Sequence, residues 1–253
     1  NTALFTADNW KYEKEFLVEQ RKLGIPKFSN LNKKNILIIG NSHAEDLFYA
    51  LKINEPLFPS YEFSLLKTNI MCLNDIYKFF KLCKKELTKK DKNNLLQSEI
   101  IIFSSNYDEK NITYLSDVVK QLKNENKVII ITSIMTHFYF EGQRSLIDEF
   151  YLKNKRLPDE REKLLIEKNY FQSQNANLTA DRNNKLELIS KKNNVKFLKK
   201  IDLICNQSKK TCVFLTPKNY KIFRDEAHMT IEGAKFIGKR ISNLNWLDIN
   251  FKN

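Results

Sequence analysis

Two short segments, far apart in the chain, carry residue types that together could do nucleophilic chemistry. The first is Gly40-Asn41-Ser42-His43-Ala44, directly after the apolar run Ile36-Leu37-Ile38-Ile39. A serine on a sharp strand-to-helix turn presents its hydroxyl at the sheet edge. Its backbone N–H then lies at a helix N-terminus, where it can serve as an oxyanion donor. Gly40 lets the backbone turn tightly. Taken alone the pattern is weak, because a serine at a helix start is more often an N-cap. The second segment is Asp225-Glu226-Ala227-His228. A serine nucleophile needs a base, and the base needs a partner that fixes its tautomer. An Asp three residues before a His can reach the imidazole Nδ1 within one turn of chain, so that Nε2 faces the serine hydroxyl. Ser, Asp, His is one of the chain orders in which such triads recur. Asp-x-x-His alone usually marks a surface turn; it is the pairing of the two segments that points to acyl chemistry.

Such residues must be held by a scaffold, and the hydrophobic pattern indicates which. Asn35–Gly40, Tyr61–Leu66, Glu99–Ser104, Lys127–Thr132 and Val195–Leu198 read as strands. Helical patterns fall between and around them, near Trp10–Lys22 and over Ala44–Ile53, Tyr114–Asn124, Ala180–Lys192 and Thr230–Ser242. Thr230 is placed to cap the last helix, and Glu232 sits in its first turn, where an acid suits the helix dipole. Strands that are continuously apolar and alternate with helices predict a mostly parallel sheet covered on both faces. Open sheets of this kind bind ligands at the carboxyl ends of their strands, where Ser42 falls. Residues 84–94 form a charge run and read as a solvated helix or loop. Residues 1–33 read as an N-terminal extension or linker packing on one domain over 34–253, with a helical insertion at about 140–175.

Composition narrows the function classes. Of 253 residues, 42% are apolar and 12% aromatic, enough for a sizeable core, which excludes wholesale disorder. No apolar run approaches the roughly 18 residues of a membrane span. Lys and Arg number 43 against 30 Asp and Glu, a net charge of +13. Part of that excess reflects a Lys-, Asn- and Ile-rich composition. The field still favours anionic membranes or glycans. Basic residues do not cluster with interleaved aromatics in a recognisable module, so nucleic acid is not expected as a partner. The four cysteines form two local pairs, Cys72 with Cys83 and Cys205 with Cys212. This spacing fits disulfides, with reduced thiols as the alternative. A zinc site would need closer spacing and more than the three His present. Disulfides would place the domain outside the cytoplasm. The chain starts at Asn1 with no charged and apolar leader, which reads as a processed protein or a piece of a longer one.

The two segments resemble the blocks of a known family. Gly40-Asn41-Ser42-His43-Ala44 looks like the Gly-Asp-Ser-His-Ala block of SGNH hydrolase-like domains. Asp225-x-x-His228-Met229-Thr230-x-x-Gly233-Ala234 is similar to their Asp-x-x-His-Leu-Ser-x-x-Gly-Ala block. This version is typical of the SGNH domain fused to membrane acyltransferases of the acyltransferase-3 superfamily, which O-acetylate bacterial surface glycans. The resemblance spans about residues 34–243 and implies a three-layer α/β/α, flavodoxin-like fold with five strands. The cysteine pairs also stand where that subfamily often has them. Three departures are visible. Asn41 replaces the usual Asp, the Gly of the second family block has no clear match, and the Gly-x-Asn-Asp block is reduced to Ser104-Ser105-Asn106-Tyr107.

The resemblance implies Ser42 as nucleophile, His228 as base and Asp225 as its orienting acid, with no cofactor and no metal. The oxyanion hole would use the Ser42 backbone N–H and the Asn106 side chain, the latter against the simpler reading of a turn residue. Asn41, His43, Tyr107 and His137 are candidate substrate-binding residues, and Phe138 and Tyr139 could help line an acceptor cleft; packing is the alternative for the aromatics and for His137. The expected activity is O-acylation, with acetyl the expected group, of a surface glycan such as lipopolysaccharide O-antigen. The acyl donor would be delivered by a membrane domain N-terminal to this segment, so the expected location is periplasmic or extracytoplasmic, tethered to the inner membrane. A secreted carbohydrate acetylesterase with the same triad is the alternative, and a non-catalytic glycan-binding or docking module the third.

Overall fold

The computed structural model describes residues 9–29, 32–73, 87–135, 145–173, 176–225 and 227–247. By compactness the chain falls into two units. A sheet unit comprises Gly24–Met135 and Asn177–Lys200; a C-terminal unit comprises Asn1–Leu23, Thr136–Ala176 and Ile201–Asn253.

The sheet unit contains five strands, β1 (Lys34–Gly40), β2 (Tyr61–Lys67), β3 (Ile100–Phe103), β4 (Val128–Thr132) and β5 (Lys196–Leu198). Their spatial order is β2-β1-β3-β4-β5, and every pairing is parallel. All five expected strands are therefore present, in the α/β fold the motifs implied. Ile36, Leu37, Ile38 and Ile39 have no exposed surface, as befits a central strand buried on both faces. Alternate residues Leu37, Ile39, Ile101, Phe103, Ile129 and Ile131 share one face.

Against that face lies α4 (Glu109–Asn124; α1 to α3 are placed below), which buries Ile112, Leu115, Val118, Val119 and Leu122 at helical spacing. Each such side chain contributes about 1.5–3 kcal/mol by leaving water. The helix begins five residues before the apolar pattern suggests. Asp108 caps it, its carboxylate accepting the Asn111 N–H at 2.7 Å. Helix α2 (Ser42–Ile53) packs along β1 and β2 and carries the nucleophile candidate. In the charged run, α3 (Lys89–Gln97) is a helix with a Thr88/Asp91 capping box. Helix α7 (Ala176–Lys192) precedes β5. Two hydrogen bonds tie the carboxyl ends of β4 and β5 together. The Ser133 N–H donates to Leu198 O, and the Lys200 N–H donates to Ser133 Oγ, both at 2.8 Å.

The C-terminal unit contains α1 (Asn9–Leu23), α5 (Leu146–Asn154), α6 (Glu160–Gln172), the hairpin of β6 (Cys205–Asn206) and β7 (Thr211–Cys212), and α8 (Ile231–Asn243). The excursion expected at 140–175 thus supplies α5 and α6, each opened by a capping box, Ser145 with Asp148 and Asp159 with Glu162. Cys205 and Cys212 are joined across the hairpin. Cys72 is also in a disulfide; Cys83 lies outside the described residues.

Candidate active site

The nucleophile turn is built entirely within the sheet unit. Asn41 is the N-cap of α2 and Ser42 its first residue, half-buried. The Asn41 Oδ1 accepts two backbone donors, the His43 N–H at 3.1 Å and the Asn106 N–H at 3.3 Å. One side-chain oxygen thereby joins the start of α2 to the loop after β3. Neighbouring chain ends hold β1 in the same way. The Thr68 N–H donates to Gly40 O and the Ser104 N–H to Ile39 O, each at 2.9 Å. The Ser104 hydroxyl adds a bond to His43 O at 3.0 Å. A Cβ on Gly40 would stand 2.0 Å from Ser104 O, so only glycine permits this approach.

Asn106 is half-buried beside Asn41, which it meets through its backbone N–H. Two substrate-binding expectations need correction. Tyr107 has no exposed surface and donates from its hydroxyl to Phe103 O at 2.7 Å; it belongs to the core under α4. His43 is 5% exposed, because the helix turns its side chain inward next to Ala44 and Asp46, which are also buried. Neither ring presents a face to a sugar. His137, Phe138 and Tyr139 lie outside the described residues.

The base turn lies in the C-terminal unit. His228 Nδ1 is 3.0 Å from Asp225 Oδ1 and 2.9 Å from Oδ2. The same carboxylate accepts the His228 N–H at 2.7 Å and the Ala227 N–H at 2.9 Å. Burial opposes the charge on Asp225, but the imidazole and these amides outweigh it and hold the carboxyl down at about 2. With Nδ1–H engaged by a carboxylate that stays ionised, the free lone pair of the neutral ring lies on Nε2.

The turn is closed at its base. Phe223 and Met229 form an antiparallel bridge, and the Arg224 N–H donates to His228 O at 2.9 Å. The Arg224 guanidinium donates to Met229 O at 3.0 Å and lies over the Phe16 ring of α1. Thr230 caps α8, its Oγ1 accepting the Gly233 N–H at 2.9 Å. A Cβ on Gly233 would sit 2.0 Å from Ile222 O, which explains a glycine in the first turn of that helix. The motif reading missed Ser104, Arg224 and the packing reason for Gly233. The first two act through backbone carbonyls, which residue type does not advertise. Among the described residues, no group of three or more His, Cys, Asp or Glu could hold a metal ion, and no helix is long and apolar enough to cross a membrane.

The family model for SGNH domains fused to AT3 domains matches residues 11–243. The chain belongs to this family. The resemblance read from the two motifs is borne out and extends upstream to include most of α1. No curated protein matches the sequence. Among solved structures, the periplasmic domain of a lipopolysaccharide acetyltransferase of Salmonella ser. Paratyphi A is similar at a TM-score of 0.61. It is 17% identical, over 95% of this chain and 97% of that one, and shows the same SGNH-domain fold. A GDSL-like lipase from Bacteroides thetaiotaomicron VPI-5482 has a TM-score of 0.46 at 14% identity, over 94% of this chain and 97% of its own. The acetylxylan esterase Axe2 from Geobacillus stearothermophilus has a TM-score of 0.42 at 12% identity, over 89% and 98%. At those scores neither of the last two bears on fold or function.

Proposed function

We propose that this SGNH domain transfers an acyl group, acetyl in the simplest case, to a hydroxyl of an anionic or neutral surface glycan through a covalent Ser42 intermediate. The observation that carries the reading is the Asp225–His228 pair, whose carboxylate holds Nδ1 through both oxygens in a chain whose family is fused to AT3 domains.

In this mechanism His228 Nε2 removes the proton from Ser42 Oγ, which attacks the carbonyl carbon of the acyl donor. The carbonyl oxygen becomes an oxyanion, received by the Ser42 backbone N–H at the start of α2 and by Asn106. Collapse breaks the bond to the donor's leaving oxygen, and that oxygen takes the proton from His228. A glycan hydroxyl then gives its proton to Nε2 and attacks the acyl-serine carbonyl; as the bond to Oγ breaks, Ser42 leaves with the proton from His228, and both residues return to their starting state. Asp225 stays ionised throughout and stabilises the imidazolium. Asn41 positions the turn and Asn106 rather than meeting the substrate. The donor would come from a membrane acyltransferase domain, which puts the reaction on the extracytoplasmic side. The disulfide at Cys205–Cys212 agrees with an oxidising compartment.

Acetyl release from p-nitrophenyl acetate tests the site directly. Wild-type turnover that is lost in Ser42→Ala and in His228→Ala is the expected result. Turnover that survives both substitutions would sink the triad. Adding a sugar acceptor then separates transfer from hydrolysis: acetylated sugar marks a transferase, and acetate alone marks the esterase.

A further inference from the structure

The most deeply sequestered charges in the C-terminal unit are not in the proposed triad. Lys221 is 1% exposed and Asp148, in the first turn of α5, is 0% exposed. Lys221 Nζ donates to both carboxylate oxygens at 2.8 Å. Ser145 completes the shell of Asp148, with its hydroxyl donating at 2.6 Å and its N–H at 3.3 Å. The Tyr12 ring of α1 lies 5.2 Å from Nζ. Replacing such a pair by apolar residues of similar size is often neutral or stabilising, so stability alone is a weak account of it.

The backbone of Lys221 suggests a better one. Its carbonyl accepts the Thr230 hydroxyl at 2.5 Å. The next residue, Ile222, donates to Phe214 O and accepts the Thr230 N–H, each at 3.0 Å. One residue further, Phe223 bridges to Met229. Residues 221–223 and 229–230 are therefore the two legs from which the Asp225–His228 turn springs, and the Lys221 side chain anchors one leg to α5. We propose that Lys221 and Asp148 are positioning residues for the turn: their ion pair fixes the leg at Lys221, and thereby the direction in which His228 presents Nε2. Neither residue touches substrate. The role rests on His228 being the base of the proposed reaction.

The test is Lys221→Met/Asp148→Leu in the full domain, which removes both charges and leaves neither unpaired. It is read by thermal melting, by p-nitrophenyl acetate kinetics and by the NMR signal of the His228 Nδ1–H. Positioning predicts a melting temperature at or above wild type, kcat lowered about tenfold, KM unchanged and a shifted or broadened Nδ1–H signal. Wild-type kcat with an unchanged ring signal would overturn it. If the double variant does not fold, Ser145→Ala decides the matter. It loosens Asp148 with both charges in place, and positioning predicts kcat lowered about threefold with KM unchanged. Wild-type kcat in that variant would overturn the proposal. A wild type inactive on the ester would point to a donor supplied only by the membrane domain or to a docking module, and the kinetic comparison would then fall away. The His228 ring signal would still report on the anchor, and no change in it between wild type and variant would overturn the positioning role.

Discussion

Both oxygens of Asp225 lie within 3.0 Å of His228 Nδ1, and this contact governs the pH behaviour of the site. With its carboxyl held down at about 2, Asp225 stays charged across the working range. The acid limb of the pH–rate profile should therefore report the imidazole, and an inflection in the ordinary carboxyl range would contradict the assignment. The same depression contributes to stability. It is fully present above the unfolded value of 3.8 and is lost as pH falls through about 2. Asp225→Asn should accordingly flatten the dependence of melting temperature on pH between about 4 and 2, and lower kcat by roughly 10³–10⁴ through the wrong tautomer. Asn41 yields a second prediction. Its Oδ1 accepts from both His43 and Asn106, and an aspartate offers the same acceptor. Asn41→Asp should keep ester turnover within about threefold, whereas Asn41→Ala should lose about 1 kcal/mol of helix capping and most activity. Ser42, Asp225 and His228 could be nominated from the sequence because the chemistry proposed for them depends on residue type and spacing. The burial of His43 and Tyr107 was not, since an aromatic or imidazole ring packs in a core as readily as it lines a cleft.

Elements were legible in proportion to their apolar continuity. The five strands stand within a residue or two of their expected bounds, and β1, β3 and β4 stand out most clearly because strands buried on both faces leave an unbroken apolar run. The first turn of α4 leaves no periodic signal, since the Asp108 cap rather than apolar spacing fixes it. Two glycines set how closely elements approach, Gly40 against Ser104 and Gly233 against Ile222, each with a 2.0 Å clash awaiting a Cβ. Gly233→Ala should destabilise the domain by at least about 2 kcal/mol in urea unfolding, by forcing the start of α8 off the Ile222 carbonyl. The disulfide between Cys205 and Cys212 closes a separation of seven residues. In the chain-entropy account that is worth about 2.5 kcal/mol. Cys205→Ala/Cys212→Ala should lose roughly that amount, measured by the same unfolding titration.

For the molecule as a whole, the net charge of +13 bears on encounter rather than on fold. If acceptors are anionic, kcat/KM for an acidic oligosaccharide should fall as salt rises from about 0.01 to 0.15 M, where the screening length shrinks from about 30 to about 8 Å. A neutral oligosaccharide measured in parallel should be insensitive, and equal salt dependence for both would remove the steering argument. The division of the chain into two units, with the nucleophile turn in one and the base turn in the other, could not be read from the sequence, because it depends on long-range packing. The order of the sheet has a consequence for how the protein is made. Strand β4 pairs with β3 on one side and with β5 on the other, through Ile130 and Lys196. Some sixty-six residues must therefore leave the ribosome after Ile130 before its outer edge can be covered, which takes about 3–13 s at 5–20 residues per second. For that interval the nascent chain carries the apolar, unpaired edge of Ile129–Ile131, the kind of surface that chaperones bind and that joins other chains. A chain ending before Lys196 would keep that edge open permanently and should be recovered as aggregate.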